Sequence, residues 1–208
     1  MLASTILFDN YGTANWGLRI CNITIKTVEE FEAEKETKRA ELNDLLKMDS
    51  ADSLALFTTN NGYGSNNAAF NEAAAANLTS GASVSLSTYH SRTYTLDLGF
   101  LYTLGEIYSI SITYGAQCYK ATAGTTDAEL SVTVNGVNKI VLANMWNTQK
   151  LKSQTLTITA DQLYGGETGL LATDGLEQFV FATNKGIMLY VEDITIVTVA
   201  EHNAQQSK

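Results

Sequence analysis

From Val84 onward the chain is a succession of short runs in which apolar and polar residues alternate. VSLSTY, TYTLDLGFL, IYSISITYGAQ, LSVTVNG, VNKIVL, QTLTITA, EQFVFAT and GIMLYVEDITIVTV are rich in β-branched and aromatic residues and are separated by turn residues. A period of two marks strands that bury one face. Asn135–Gly136, between two such runs, is the strongest hairpin signal in the chain. Asn184-Lys185-Gly186 reads as a second, weaker hairpin turn. Strands of this number and length predict an all-β fold, an antiparallel β-sandwich or jelly roll, over residues 51–208.

A long, charged helical pattern precedes them. TVEEFEAEKETKRAELNDLLK carries a capping box, Thr27 with Glu30 three residues on, and acidic residues crowd its first turns. Glu34–Lys38 and Glu32–Lys35 have helical spacing for ion pairs. Its apolar stripe is thin: Val28 and Phe31 at one end, Leu42, Leu45 and Leu46 at the other. Residues 27–50 are therefore expected as a charged helical spacer or strap, packed at both ends and solvated in the middle. The tract that follows is nearly uncharged, with Glu72 alone between Ser53 and Ser91. Asn, Gly and Ser at 60–67 predict a loop, and Ala73–Ala76 one or two helical turns.

Residues 1–26 form a third unit. WGLRICNITI (Trp16–Ile25) aligns without gaps on IMLYVEDITI (Ile187–Ile196). This predicts an N-terminal β-hairpin that completes this sheet or a neighbouring one. An isolated hairpin is marginal in water, so a homo-oligomer assembled through residues 1–26 is one expectation. Cys21 and Cys118 are read as two buried thiols or as a disulfide.

Composition removes several functions. With 22 acidic and 13 basic side chains the net charge is −9, which is wrong for neutralising phosphates, so no nucleic acid is expected. No apolar run approaches the roughly 18–20 residues of a membrane helix, so no membrane insertion is expected. Two histidines, two cysteines and no CxxC or HxxxH spacing leave little for zinc. GxSxG, Walker and GxGxxG motifs are absent, and nothing groups a nucleophile with a base. The expectation is a non-enzyme. MLASTILFDN lacks the basic start and long apolar stretch of a signal peptide. The expected location is extracellular or the cell surface, as part of an exported protein, or alternatively a virion.

The final apolar strand carries its own irregularity. Ile187, Leu189 and Val191 set one face, and after Glu192–Asp193 the apolar role passes to Ile194 and Ile196, which implies a bulge. A carboxylate there can cap backbone N–H groups, pair with a lysine or bind a hard cation. The order YSISITYGA, AELSVTVNG, LTITA, FVFAT and GIMLYVEDITI resembles the galactose-binding-like jelly-roll carbohydrate-binding modules, over roughly Ala82 to Val199. In such modules an acidic pair in the last strand often lies near a structural calcium. The resemblance therefore implies calcium, with Glu192 and Asp193 as its ligands.

Sugar recognition needs an aromatic face for the C–H side of a pyranose and amides for its hydroxyls. Trp146 in ANMWNTQ, with Asn144, Asn147 and Gln149, is the best single patch. Tyr63 in NNGYGSNN, Tyr164 in DQLYGGE, and Tyr89 and Tyr94 around His90 are further candidates. The expected partner is a glycan or glycoprotein surface, bound without catalysis. The alternative is a structural subunit of a virion fibre, decoration or filament that assembles through its N-terminal hairpin.

Overall fold

The computed structural model describes residues 24–60, 68–87, 92–99, 101–120, 124–166 and 168–208. The N-terminal hairpin, Trp16, Cys21, Tyr63, Tyr89 and His90 fall outside these residues.

The described chain runs α1 (Val28–Leu45), β1 (Thr58–Asn60), β2 (Ala69–Asn71), β3 (Ser83–Ser87), β4 (Thr93–Leu96), β5 (Ile107–Lys120), β6 (Ala128–Val134) and β7 (Asn138–Met145). It continues with β8 (Lys150–Thr159), α2 (Ala160–Tyr164), β9 (Phe179–Thr183), β10 (Gly186–Thr198) and α3 (Val199–Gln206). The strands form two antiparallel sheets, β1-β4-β9-β6-β7 and β2-β3-β10-β5-β8. Leaving out the short β1 and β2, the order is that of an eight-stranded jelly roll. The fold is the predicted all-β sandwich with one charged N-terminal helix.

Alternation builds the core. The even residues of β5 from Ile110 to Cys118 face inward against Phe179, Phe181, Leu130 and Val132 of the other sheet, and all of these are buried. Cys118 is a buried free thiol, raised above its usual range by that burial. Asn135 and Gly136 both have positive φ (47° and 71°), and Val137 N–H returns to the Val134 carbonyl at 3.0 Å, as a hairpin turn requires. Asn184-Lys185-Gly186 is not a hairpin: β9 and β10 lie in different sheets, and the chain changes sheet there. Asn184 holds that corner by donating to the Asp127 carbonyl and accepting from Glu129 N–H. Ala73–Ala76 forms no helix. Ala76 and Asn77 have positive φ instead, in a loop whose Leu78 carbonyl lies 2.6 Å from where a Cβ on Gly115 would stand. That loop crosses the outer face of the second sheet, and only glycine lets it approach so closely.

The bulge in β10 is present. Val191 pairs with Tyr114 and Asp193 with Thr113, which leaves Glu192 as the extra residue.

Helix α1 begins where the sequence places it. Its capping box is formed, Glu30 N–H to Thr27 Oγ1 at 3.1 Å and Thr27 N–H to Glu30 Oε2 at 2.8 Å. Val28 and Phe31 are exposed (69% and 39%), while Leu42 and Leu46 at the other end are buried in the core. Its middle is pinned by charge. Lys35 Nζ lies 3.0 Å and Arg39 Nη2 2.8 Å from Glu106 Oε1, and Arg39 also donates twice to the Leu101 carbonyl. Lys35 thus pairs with Glu106 rather than with Glu32, because Glu106 is already oriented by the Thr103 N–H. Burial alone would raise the Glu106 pKa, but the Thr103 backbone, Arg39 and Lys35 outweigh it and bring the group to about 2.

A carboxylate depressed in the folded state contributes stability above its unfolded pKa and loses it as the pH falls through the folded one. The strap is therefore held fully above pH 4.5 and released as the pH falls from there toward about 2. Amide exchange along α1, corrected for intrinsic rates, should speed up in that window while β5 and β10 stay protected. Glu106→Gln, which cannot ionise, should speed exchange along α1 at neutral pH and remove the dependence across the window. Equal protection of α1 at both ends of the window would contradict this.

Candidate functional site

The topology sorts the loops. β1→β2, β3→β4, β5→β6, β7→β8 and β9→β10 all cross between sheets at one end of the sandwich, as the registers show. The helices and the remaining connections occupy the other end. Trp146, Asn147 and Gln149 lie on the β7→β8 turn at the first end.

The turn is closed on itself. Gln149 Oε1 accepts from Trp146 N–H, and Gln149 N–H donates to the Trp146 carbonyl, both at 3.0 Å. Gln149 is thus engaged in holding the tryptophan. Thr148 sits at φ 66°, a conformation that costs a β-branched residue energy. The result is Trp146 held half exposed, at 50%, while Met145 before it fills the core. Asn144 is exposed; Asn147 is half-buried, and its shielded Oδ1 has no partner among the described residues.

The turn is also fastened to the second sheet: Cys118 N–H donates to the Gln149 carbonyl at 2.9 Å. The residues flanking Cys118, Gln117 and Tyr119, point to the outer face, opposite the core-facing even residues of β5. Tyr119 is 50% exposed, and its hydroxyl donates to Gln117 Oε1 at 3.3 Å. Beside them on β10 is Tyr190, whose pKa is pushed up to about 12 by burial and then by the adjoining Tyr119 hydroxyl. The Tyr190 phenol therefore remains a neutral hydrogen-bonding group. In register, one row across this face reads Ser87, Met188, Gln117, Lys150. The end thus presents two exposed aromatic rings, an amide and a lysine on neighbouring strands.

Tyr119, Gln117 and Tyr190 were not singled out from sequence. The alternation in YGAQCYK carries the signal, since Gln117 and Tyr119 share the face opposite Ala116 and Cys118.

Other candidates are placed elsewhere. Tyr164 ends α2 at the opposite end and is partly buried against the core, so it does not join Trp146. Tyr94 is fully buried and donates to the Ser87 carbonyl, as a core tyrosine does. Glu192 and Asp193 engage different partners. Glu192 is 9% exposed and accepts from Ser80 N–H and Oγ at 3.0 and 2.5 Å; Asp193 accepts from Thr195 Oγ1 at 2.7 Å. Among the described residues no three acidic, histidine or cysteine side chains gather as metal ligands.

No family model matches the chain, and no curated protein matches it. Among solved structures it is similar to SGBP-B from a complex xyloglucan utilization locus in Bacteroides uniformis, at 9% identity and a TM-score of 0.35, over 69% of this chain and 45% of that one. The chain thus spans less than half the length of that protein. It is also similar to a chain described under "CBM4 structure and function", at 15% identity and a TM-score of 0.29, over 71% of this chain and 97% of that one.

Gln149→Ala removes the acceptor for Trp146 N–H and should cost about 1 kcal/mol. Thr148→Gly relieves the positive φ and should be neutral or stabilising by up to ~1 kcal/mol. Chemical denaturation of both variants checks the pair; a destabilised Thr148→Gly would contradict the strained turn.

Proposed function

We propose that this protein is a non-catalytic carbohydrate-binding β-sandwich that engages glycans at the end carrying the β7→β8 turn. One observation carries the reading: Trp146 is held half exposed by a self-closed turn that is hydrogen-bonded to the strand presenting Gln117 and Tyr119. A tryptophan with no external role would gain by burial, since its side chain brings 150–250 Å² of surface to a core. Here the backbone is strained and hydrogen-bonded in a way that keeps the ring out. Trp146 and Tyr119 supply stacking faces, Gln117 and Asn144 supply amides, and Gln149 positions Trp146.

The strand order suits a galactose-binding-like jelly-roll module, and glycan binding suits display outside a cell.

The test is retention on a panel of immobilised polysaccharides. Trp146→Ala and Tyr119→Ala should each weaken retention by roughly fivefold, about 1 kcal/mol, with the thermal melt unchanged. Tyr164→Ala should not affect it. Retention that survives Trp146→Ala and Tyr119→Ala together would overturn the assignment.

A further inference from the structure

We infer that the glycan bound at this end is anionic, its carboxylate or sulfate groups met by Lys150 and Lys152. This deepens the carbohydrate reading and rests on it.

In a chain of net charge −9, most cations are consumed by acids. On and around α1, Lys26 and Lys38 pair with Glu34, Lys35 with Glu106, Arg39 with Glu36 and Glu106, and Lys47 with Asp44. The acids described at the Trp146 end are Asp127 and Glu129. They too are paired, Asp127 with Lys185 at 3.5 Å and Glu129 with Lys139. Lys150 and Lys152 are exposed and have no acidic partner among the described residues. The loop end of an acidic protein therefore carries a local surplus of positive charge.

Lys150 directly follows the Trp146–Gln149 turn and is the cross-strand partner of Gln117, so the two share the outer face of the sheet. Tyr119 is two residues further along β5 on that same face, with its hydroxyl on Gln117. A ring, an amide and an ammonium on adjacent strands match a sugar that offers a C–H face, hydroxyls and an anionic substituent. A neutral glycan would leave the ammonium group with water alone.

Lysines on an edge strand have another use. Among the described residues β8 is the edge of its sheet, and charge there blocks pairing with a second sheet. The two roles separate experimentally. The full chain is run in affinity electrophoresis against matched polysaccharides that differ in charge alone: polygalacturonate with its methyl ester, and dextran sulfate with dextran. The charged members should retain the protein at least tenfold more strongly, and salt should weaken this. The first pair reports carboxylate recognition and the second sulfate. Lys150→Ala/Lys152→Ala should abolish the difference within each pair that shows one, while the residual retention still depends on Trp146.

Equal retention on charged and neutral members, untouched by the lysine substitutions, overturns this inference and leaves the carbohydrate reading standing. Self-association of the double variant with undiminished charged-glycan retention assigns the lysines to edge protection and overturns it as well. Retention that the lysine substitutions abolish and Trp146→Ala leaves intact marks general electrostatic adhesion, and overturns both readings. Absence of retention on every polysaccharide, here and on the wider panel, does the same.

Discussion

β10 is the strand on which the rest of the molecule depends. It is bonded to β3 on one side and to β5 along nearly its whole length on the other, so its register sets that of the entire second sheet. A strand that kept strict alternation from Gly186 to Thr198 would turn Ile194 and Ile196 to solvent. The bulge at Glu192 prevents this and keeps Ile187, Leu189, Val191, Ile194 and Ile196 in one core. Its carboxylate caps the Ser80 N–H and hydroxyl, which anchors the loop crossing over Gly115. Beyond the bulge β3 has ended, and the Ile194 N–H is taken by the Leu46 carbonyl just after α1. One inserted residue thus couples the core, the outer loop and the N-terminal strap.

With the sheets registered in this way, the two ends of the sandwich take on different tasks. One end is closed by secondary structure: α2, α3 and the strap pinned on Glu106, with Tyr108 and His202 rings stacked 3.6 Å apart to dock α3 on β5. At the other, among the described residues, the β7→β8 turn and the β9→β10 corner cross between the sheets. Turns are where a rigid scaffold carries exposed recognition groups. The short β7→β8 turn is rigid because its side chains and backbone bond each other, which lowers the entropy cost of holding Trp146 ready.

Much of this was legible in the residues. Alternation identified the long strands, Asn135–Gly136 the hairpin, Thr27–Glu30 the helix start and Glu192–Asp193 the bulge, because each of these signals is local. What was not legible depends on distant partners. Nothing near Lys35 in sequence reveals Glu106, so the middle of α1 read as solvated. Asn184-Lys185-Gly186 has hairpin chemistry, but whether a turn joins two strands of one sheet or of two is decided by the topology. The three-residue strands β1 and β2 are too short to show a period. At the candidate site, Trp146 and its amides stood out by composition. Tyr119 and Gln117 read as ordinary strand residues, and only the register placed them beside the turn.

The account stands on Trp146 and Tyr119 forming one recognition surface. The most direct measurement is a two-dimensional NMR titration of the isotope-labelled chain with oligogalacturonate and with a neutral oligosaccharide, following side-chain as well as backbone signals. The account predicts shifts concentrated on the Trp146 indole N–H, the Gln117 side-chain amide and the backbone of residues 117–119 and 146–150. Perturbations centred on α2 and Tyr164, or spread evenly over the surface, would contradict it.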